Sequence, residues 1–304
     1  MRYLLGSRFR GVFLGGLLGE TLAKSSHPQH PVVSNFAESL VPGATSLVEL
    51  GKFDLDKWLE IYQKKFTDLE PAKIIFATIP LSLFCHENPV KLHQNLLQIL
   101  KNWDINPEVR DSTLAIGYAI AQSLTEKLHP QTLIPQIIAF IGETATPLPQ
   151  NLLKVNNLLT RKAGLELLQS ELSSQAQLSE GVALAFYYFL STLEDFRLTV
   201  SRTIHHQQIW KQNTVINSQD ISIITSVLSG AYNSSVSIPA PWRVLLAKEF
   251  SPISPMLELA DALAIAWSGV YKSGLNPGLN LPEFPQEEDF TPCVYAAPRV
   301  IKAR

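Results

Sequence analysis

The sequence predicts an all-α protein. Helical spacing of apolar residues recurs through most of the 304 positions, and no alternating strand pattern is sustained anywhere. The apolar segments are divided by helix-start chemistry, most clearly the dipeptides Asn88-Pro89 and Asn106-Pro107. With 46% hydrophobic and 17% charged residues, the chain has enough apolar material for one large core.

The first element is the segment Gly11–Glu20, GVFLGGLLGE, which follows Arg8 and Arg10. Basic residues before an apolar run resemble a secretory signal, but no good cleavage site follows. A membrane span needs about 20 apolar residues, and this run stops at Glu20 and Lys24 after barely half that. Gly11, Gly15 and Gly19 recur every fourth residue, which places them on one helical face and lets another helix approach closely. The expectation is a helix buried inside the protein.

The next elements follow the same logic. From Asp54, DLDKWLEIYQKKF opens on an aspartate, puts Leu55, Trp58, Leu59 and Tyr62 on one stripe and closes with lysines. NPVKLHQNLLQILKNW from Asn88 and NPEVRDSTLAIGYAIAQSL from Asn106 each start with an Asn cap and Pro at the first helical position. One core-facing helix each is expected from NLLKVNNLLTRKAGLELLQ (Asn151), GVALAFYYFLSTL (Gly181), DISIITSVLSGAY (Asp220) and MLELADALAIAW (Met256). No fixed repeat period is present, so a solenoid is not expected. Residues 1–273 read as a single helical domain and 274–304, with Pro277, Pro282, Pro285 and Pro292 and the run QEED, as an arm or tail.

Composition excludes several functions. Formal net charge is −2 and the basic residues are spread along the chain, which gives no footprint for nucleic acid or an anionic membrane. Cys85 and Cys293 are far apart and lack C-x-x-C spacing, which fits a reducing cytoplasm. There is no G-x-S-x-G elbow, no phosphate-binding G-x-x-x-x-G-K-[ST] loop and no H-E-x-x-H helix. His27 and His30, His86 and His93, and His205 and His206 could pair, but no nearby carboxylate completes a ligand set, so they read as caps and surface positions. The aromatic run at Phe186 could stack a base but has the spacing of core.

Four pieces in order carry a resemblance. RFRGVFLGGLLGETLA is similar to the R-x-x-G-x-x-x-G-x-x-x-G-D-A-x-G opening of the ADP-ribosylglycohydrolase family. ATSLVELGKFDLDKWLEIYQ resembles that family's second helical block, and ATIPLSLFCHENPVKLHQNLLQIL its R-x-x-P-L-x-L-x-x-x-D-P block. ALAFYYFLSTLEDFRLTVSRTI followed by NSQDISIITSVLSGAYNSSVSIPAPWR resembles its closing region. Together they span residues 7 to 270. The resemblance implies a compact, orthogonally packed bundle of many helices. It also implies, for active members, hydrolysis of glycosidic bonds to ADP-ribose with two magnesium ions held by carboxylates in a central cleft.

Residue by residue, most of those carboxylates are missing. The interval that should hold the family's T-D-D-T motif reads KSSHPQHPVVSNFAESLVPG, with Glu38 its only acid. The late D-x-D-T motif falls on Asn217-Ser218-Gln219-Asp220, where amides stand at both aspartate positions. The middle H-x-D-P signature falls on DINP, with Asn106 at the aspartate position and Asp104 nearby. Glu20 replaces the aspartate of the opening motif and keeps its charge. Magnesium is a hard ion that takes oxygen ligands, mostly carboxylates and water, so losing most of the acids should abolish the ion sites.

The expectation is therefore a catalytically degenerate member that needs no metal and serves as a binding or scaffold protein. Its first candidate partners are ADP-ribose or an ADP-ribosylated protein, with neither nucleic acid nor membrane. Glu20, Asn106, Asn217, Gln219 and Asp220 are expected to face one cavity, with Glu20 and Asp220 as the only catalytic candidates. Asn106 and Asp220 also read as helix caps, and Glu20 as a helix end at the surface. The alternative is an active hydrolase with relocated magnesium ligands drawn from Glu20, Glu38, Asp104 and Asp220.

Overall fold

The computed structural model describes residues 3–25, 34–65, 70–172, 178–207, 218–250 and 252–269. The arm expected over 274–304, Asn217, His27 and His30 lie outside the described residues. The first half of the chain forms α1 (Leu5–Ser25), α2 (Asn35–Leu50), α3 (Leu55–Lys65), α4 (Pro71–Phe84), α5 (Pro89–Asn102), α6 (Pro107–Leu124) and α7 (Leu133–Ile141). The second half forms α8 (Leu148–Thr160), α9 (Leu165–Leu172), α10 (Leu178–Ser191), α11 (Phe196–Gln207), α12 (Ser218–Asn233), a 3-10 turn at Ser235–Ser237, α13 (Ala240–Glu249) and α14 (Ser254–Ser268). The described chain is all-α, as the periodicity predicts.

The segment Gly11–Glu20 lies in the middle of α1 and every one of its residues is buried. The glycine stripe faces α12: a Cβ on Gly15 would collide with the Ser226 carbonyl, and one on Gly19 would lie 2.6 Å from the Ser222 carbonyl oxygen. Gly11 meets Gly230 in the same way. Residue numbers fall along α12 as they rise along α1, so the two helices are antiparallel with backbones in near contact. No helix among the described residues is long and apolar enough to cross a membrane.

The expected starts are present. Asn88 accepts from Lys91 N at 3.0 Å, Asn106 from Glu108 N at 2.9 Å and Asp54 from Lys57 N at 3.1 Å. Phe186, Tyr187, Tyr188 and Phe189 are all buried in α10, so the aromatic run is core. The stretch from Asn151 corrects the expectation of one helix. It breaks after Thr160, where Lys162 adopts φ 52°. Ala163 N then bonds Leu158 O at 2.9 Å, a Schellman closure that starts α9 in a new direction. Tyr62 performs a second local repair. Pro42 sits inside α2, and one turn of that helix is opened by the Tyr62 hydroxyl, which donates to Ser39 O at 2.6 Å and accepts from Gly43 N at 3.0 Å.

Side-chain bonds fix the helix directions. Asn151 in the first turn of α8 bonds Ser179 in the first turn of α10 at 3.4 Å. Asn233, at the end of α12, donates to Leu193 O just beyond α10 at 2.7 Å. Arg8, near the start of α1, donates to the Ser123 carbonyl near the end of α6 and pairs with Glu126 at 2.7 Å. The N-termini of α6, α8, α10 and α12 thus share one end of the bundle with the C-terminus of α1.

Candidate functional site

That end carries Glu20, Asn106, Gln219 and Asp220. Glu20 is fully buried, and α1 runs on past it to Ser25, so the reading of Glu20 as a surface helix end is wrong. Its Oε1 accepts from Asn35 N at 2.9 Å, Lys24 Nζ at 3.1 Å and Gln219 Nε2 at 3.4 Å. Its Oε2 accepts from the Ser34 hydroxyl, which in turn caps α2 by accepting from Ala37 N at 3.1 Å. One carboxylate therefore ties together the last turn of α1, the first turn of α2 and the first turn of α12. An anion is favourable there because α2 and α12 both present their N-termini.

Among the predicted residues, Glu20 and Gln219 are brought into contact. Asp220 is buried in the same first turn of α12, as a dipole-facing acid inside the helix and not as its cap. Asn106 caps α6 and lines a surface pocket of ≈ 500 Å³ formed by the start of α6 and residues 143–147. Neither Glu20, Gln219 nor Asp220 lines that pocket.

Sequence reasoning missed two acids at this end. Asp111 of α6 is fully buried and accepts from Arg110 Nε at 2.7 Å, Thr144 Oγ1 at 2.7 Å and Thr146 Oγ1 at 2.6 Å. It fastens α6 to the segment that starts α8. Its signal was legible: an aspartate three and four residues before Leu114 and Ala115 sits on an apolar stripe, where a charge must be paired. Glu180, in the first turn of α10, is also buried. Nothing in local sequence separates it from a surface glutamate.

Among the described residues, no histidine belongs to a group that could hold a metal. His86 is buried, with Nδ1 2.6 Å from the Leu83 carbonyl and its ring between Phe9 and Trp267, so it is core and neither cap nor surface. His93 packs on the edge of Phe140 and His205 is exposed.

No family model matches the chain, and no curated protein matches it. Among solved structures it is similar to one described as an ADP-ribosylglycohydrolase-related protein complex. The two share 16% identity and a TM-score of 0.59, over 86% of this chain and 99% of that one. The fold is of the ADP-ribosylglycohydrolase type. At this identity the likeness concerns architecture, and the chemistry must be judged from the residues present.

Judged that way, the described residues do not gather the carboxylates that a pair of magnesium ions would need. Among the described residues, no three His, Cys, Asp or Glu side chains stand close enough to hold a metal. Glu20 Oε1 already faces three N–H donors, which point hydrogens where an ion would need bare oxygen. Glu38 and Asp104, two of the four relocated ligands of the alternative, are both exposed, and Asp104 forms a turn with φ 50°.

Proposed function

We propose that this protein is a catalytically degenerate relative of the ADP-ribosylglycohydrolases that acts as a metal-independent binding protein of the cytoplasm. Its ligand is ADP-ribose, free or attached to a protein. The observation that supports this most is the state of Glu20. The one acid kept at the family's opening motif is fully buried and saturated by Ser34, Asn35, Lys24 and Gln219. A carboxylate so engaged holds three helices in register, and its Oε1 faces three donors where an ion or a water nucleophile would need a bare oxygen. Gln219, an amide at a position where the family has an aspartate, acts here as a donor, which an aspartate could not do.

The test is calorimetric titration of the whole chain with ADP-ribose, in magnesium chloride and again in EDTA. Equal binding in both is the expected result. Binding that appears only with magnesium, or release of ADP-ribose from a modified protein, would overturn the proposal. Absence of binding in both conditions would remove ADP-ribose as the ligand.

A further inference from the structure

We propose that the apolar face of α13 and of the turn before it is a docking site for residues 283–290 of this same chain. The face lies at the N-terminal end of α1, away from Glu20, so the inference stands apart from the ligand reading. α13 is short of partners for its composition. Of its 10 residues only Leu246 is buried, while Trp242 and Leu245 are half-buried. The others are exposed, and among them Ala240, Val244 and Ala247 share one face at helical spacing, with Val244 61% exposed. Val236, in the 3-10 turn that leads into α13, is 58% exposed, and Leu4, just before α1, is 52% exposed. α1 touches both the turn and α13, and its antiparallel run from Gly15 at Ser226 to Gly11 at Ser234 carries Leu4 toward them. Large apolar side chains gathered in water at one place mark a surface that something covers.

Charge points to the occupant. Arg243 and Lys248 are both exposed and flank the face, one on each side of Val244. No carboxylate among the described residues pairs with either of them. Arg243 is held in place by its Nε, which donates to Ile238 O at 3.0 Å. A segment that is both apolar and acidic fits such a surface. The chain carries one: in Glu283–Phe290, EFPQEEDF, Phe284 and Phe290 enclose Glu287, Glu288 and Asp289. Pro282 and Pro285 disfavour a helix and suit an extended backbone, in which the two phenylalanines stand about 19 Å apart at about 3.1 Å per residue. α13 itself is about 15 Å long, so the spacing matches the face. The segment also reaches it. Gly269, at φ 75°, ends α14 with the left-handed turn that redirects a chain. Residues 270–282 then span up to about 40 Å, against about 22 Å for α14, which starts a short link after α13 ends. A segment tethered this way has an effective concentration on the order of millimolar, so modest contacts suffice to seat it.

Cys293, just beyond Phe290, supplies the probe for a test on the full chain. Val244→Cys is introduced, the protein is oxidised mildly, and disulfides are mapped by mass spectrometry; Cys85 is buried and stays out of the reaction. The expected result is a link between residue 244 and Cys293 within one chain. It should form at least about tenfold faster than a link to Leu153→Cys, another exposed position, on α8. Arg243→Glu combined with Lys248→Glu is expected to bring the rate down to that of the α8 control. Adding Glu287→Lys, Glu288→Lys and Asp289→Lys is expected to restore it. All the charge changes fall on exposed positions of α13 or beyond Gly269, and circular dichroism checks that the fold is kept. Equal rates at the two introduced cysteines, a rate indifferent to the first reversal, or a loss that the second does not restore would overturn the proposal. A link formed between two chains would overturn it as well and give the face to a second copy.

Discussion

Glu20→Gln is the most informative single substitution. The amide keeps one acceptor oxygen, which in the Oε1 position still meets Asn35, Lys24 and Gln219 without the charge, while its NH₂ group is turned toward the Ser34 hydroxyl and that bond is lost or reversed. Hydrogen bonds to a charged group contribute about 1.5–3 kcal/mol each, and they are not additive at one carboxylate. The Lys24 partner is 25% exposed and can re-solvate, which keeps the cost below that of stranding a buried charge. The balance is a loss of about 2–4 kcal/mol. In a domain of this size that lowers the melting temperature by about 4–12 °C. Scanning calorimetry measures it directly, and urea unfolding should show a lower midpoint with an unchanged slope. A variant that melts within about 1 °C of wild type would show that Glu20 does not hold the junction, and the structural reading of this acid would have to be abandoned.

Gly15→Ala places a methyl group against the Ser226 carbonyl, a backbone atom that cannot rotate away. The helices α1 and α12 must separate, at a cost of about 3 kcal/mol or more, visible in a thermal melt; unchanged stability would mean that the close approach is not required. Tyr62→Phe removes the hydroxyl between Ser39 O and Gly43 N and strands both in the core beside Pro42. A loss of about 2–3 kcal/mol in urea midpoint analysis is expected, with α-helical circular dichroism retained. Burial holds the Tyr62 phenol well above its ordinary range, so this contribution is present across neutral and mildly alkaline pH.

The parts of the fold legible in sequence are those governed by local chemistry. Asn88 and Asn106 announce α5 and α6 because a side-chain oxygen and a following proline satisfy a helix start whatever surrounds it. The break after Thr160 was legible only from Gly164, because Arg-Lys-Ala are all good helix formers and the left-handed turn falls on Lys162, not on the glycine. The candidate site divides the same way. The amides Asn106 and Gln219 can be read from the letters, whereas the hydrogen bonding of Glu20 depends on Ser34 and Gln219, which are 14 and 199 residues away.

By itself, then, the sequence determined the all-α class, the helix starts and the small-residue face of α1, since propensity, capping and periodicity act within a few residues. Tertiary structure decided which helix that face meets, that His86 is core, and that Asp111 and Glu180 are buried at the same end as Glu20. It also decided what the surviving Glu20 does. A carboxylate takes its role from the donors and charges around it, and those are fixed only when α1, α2 and α12 come together.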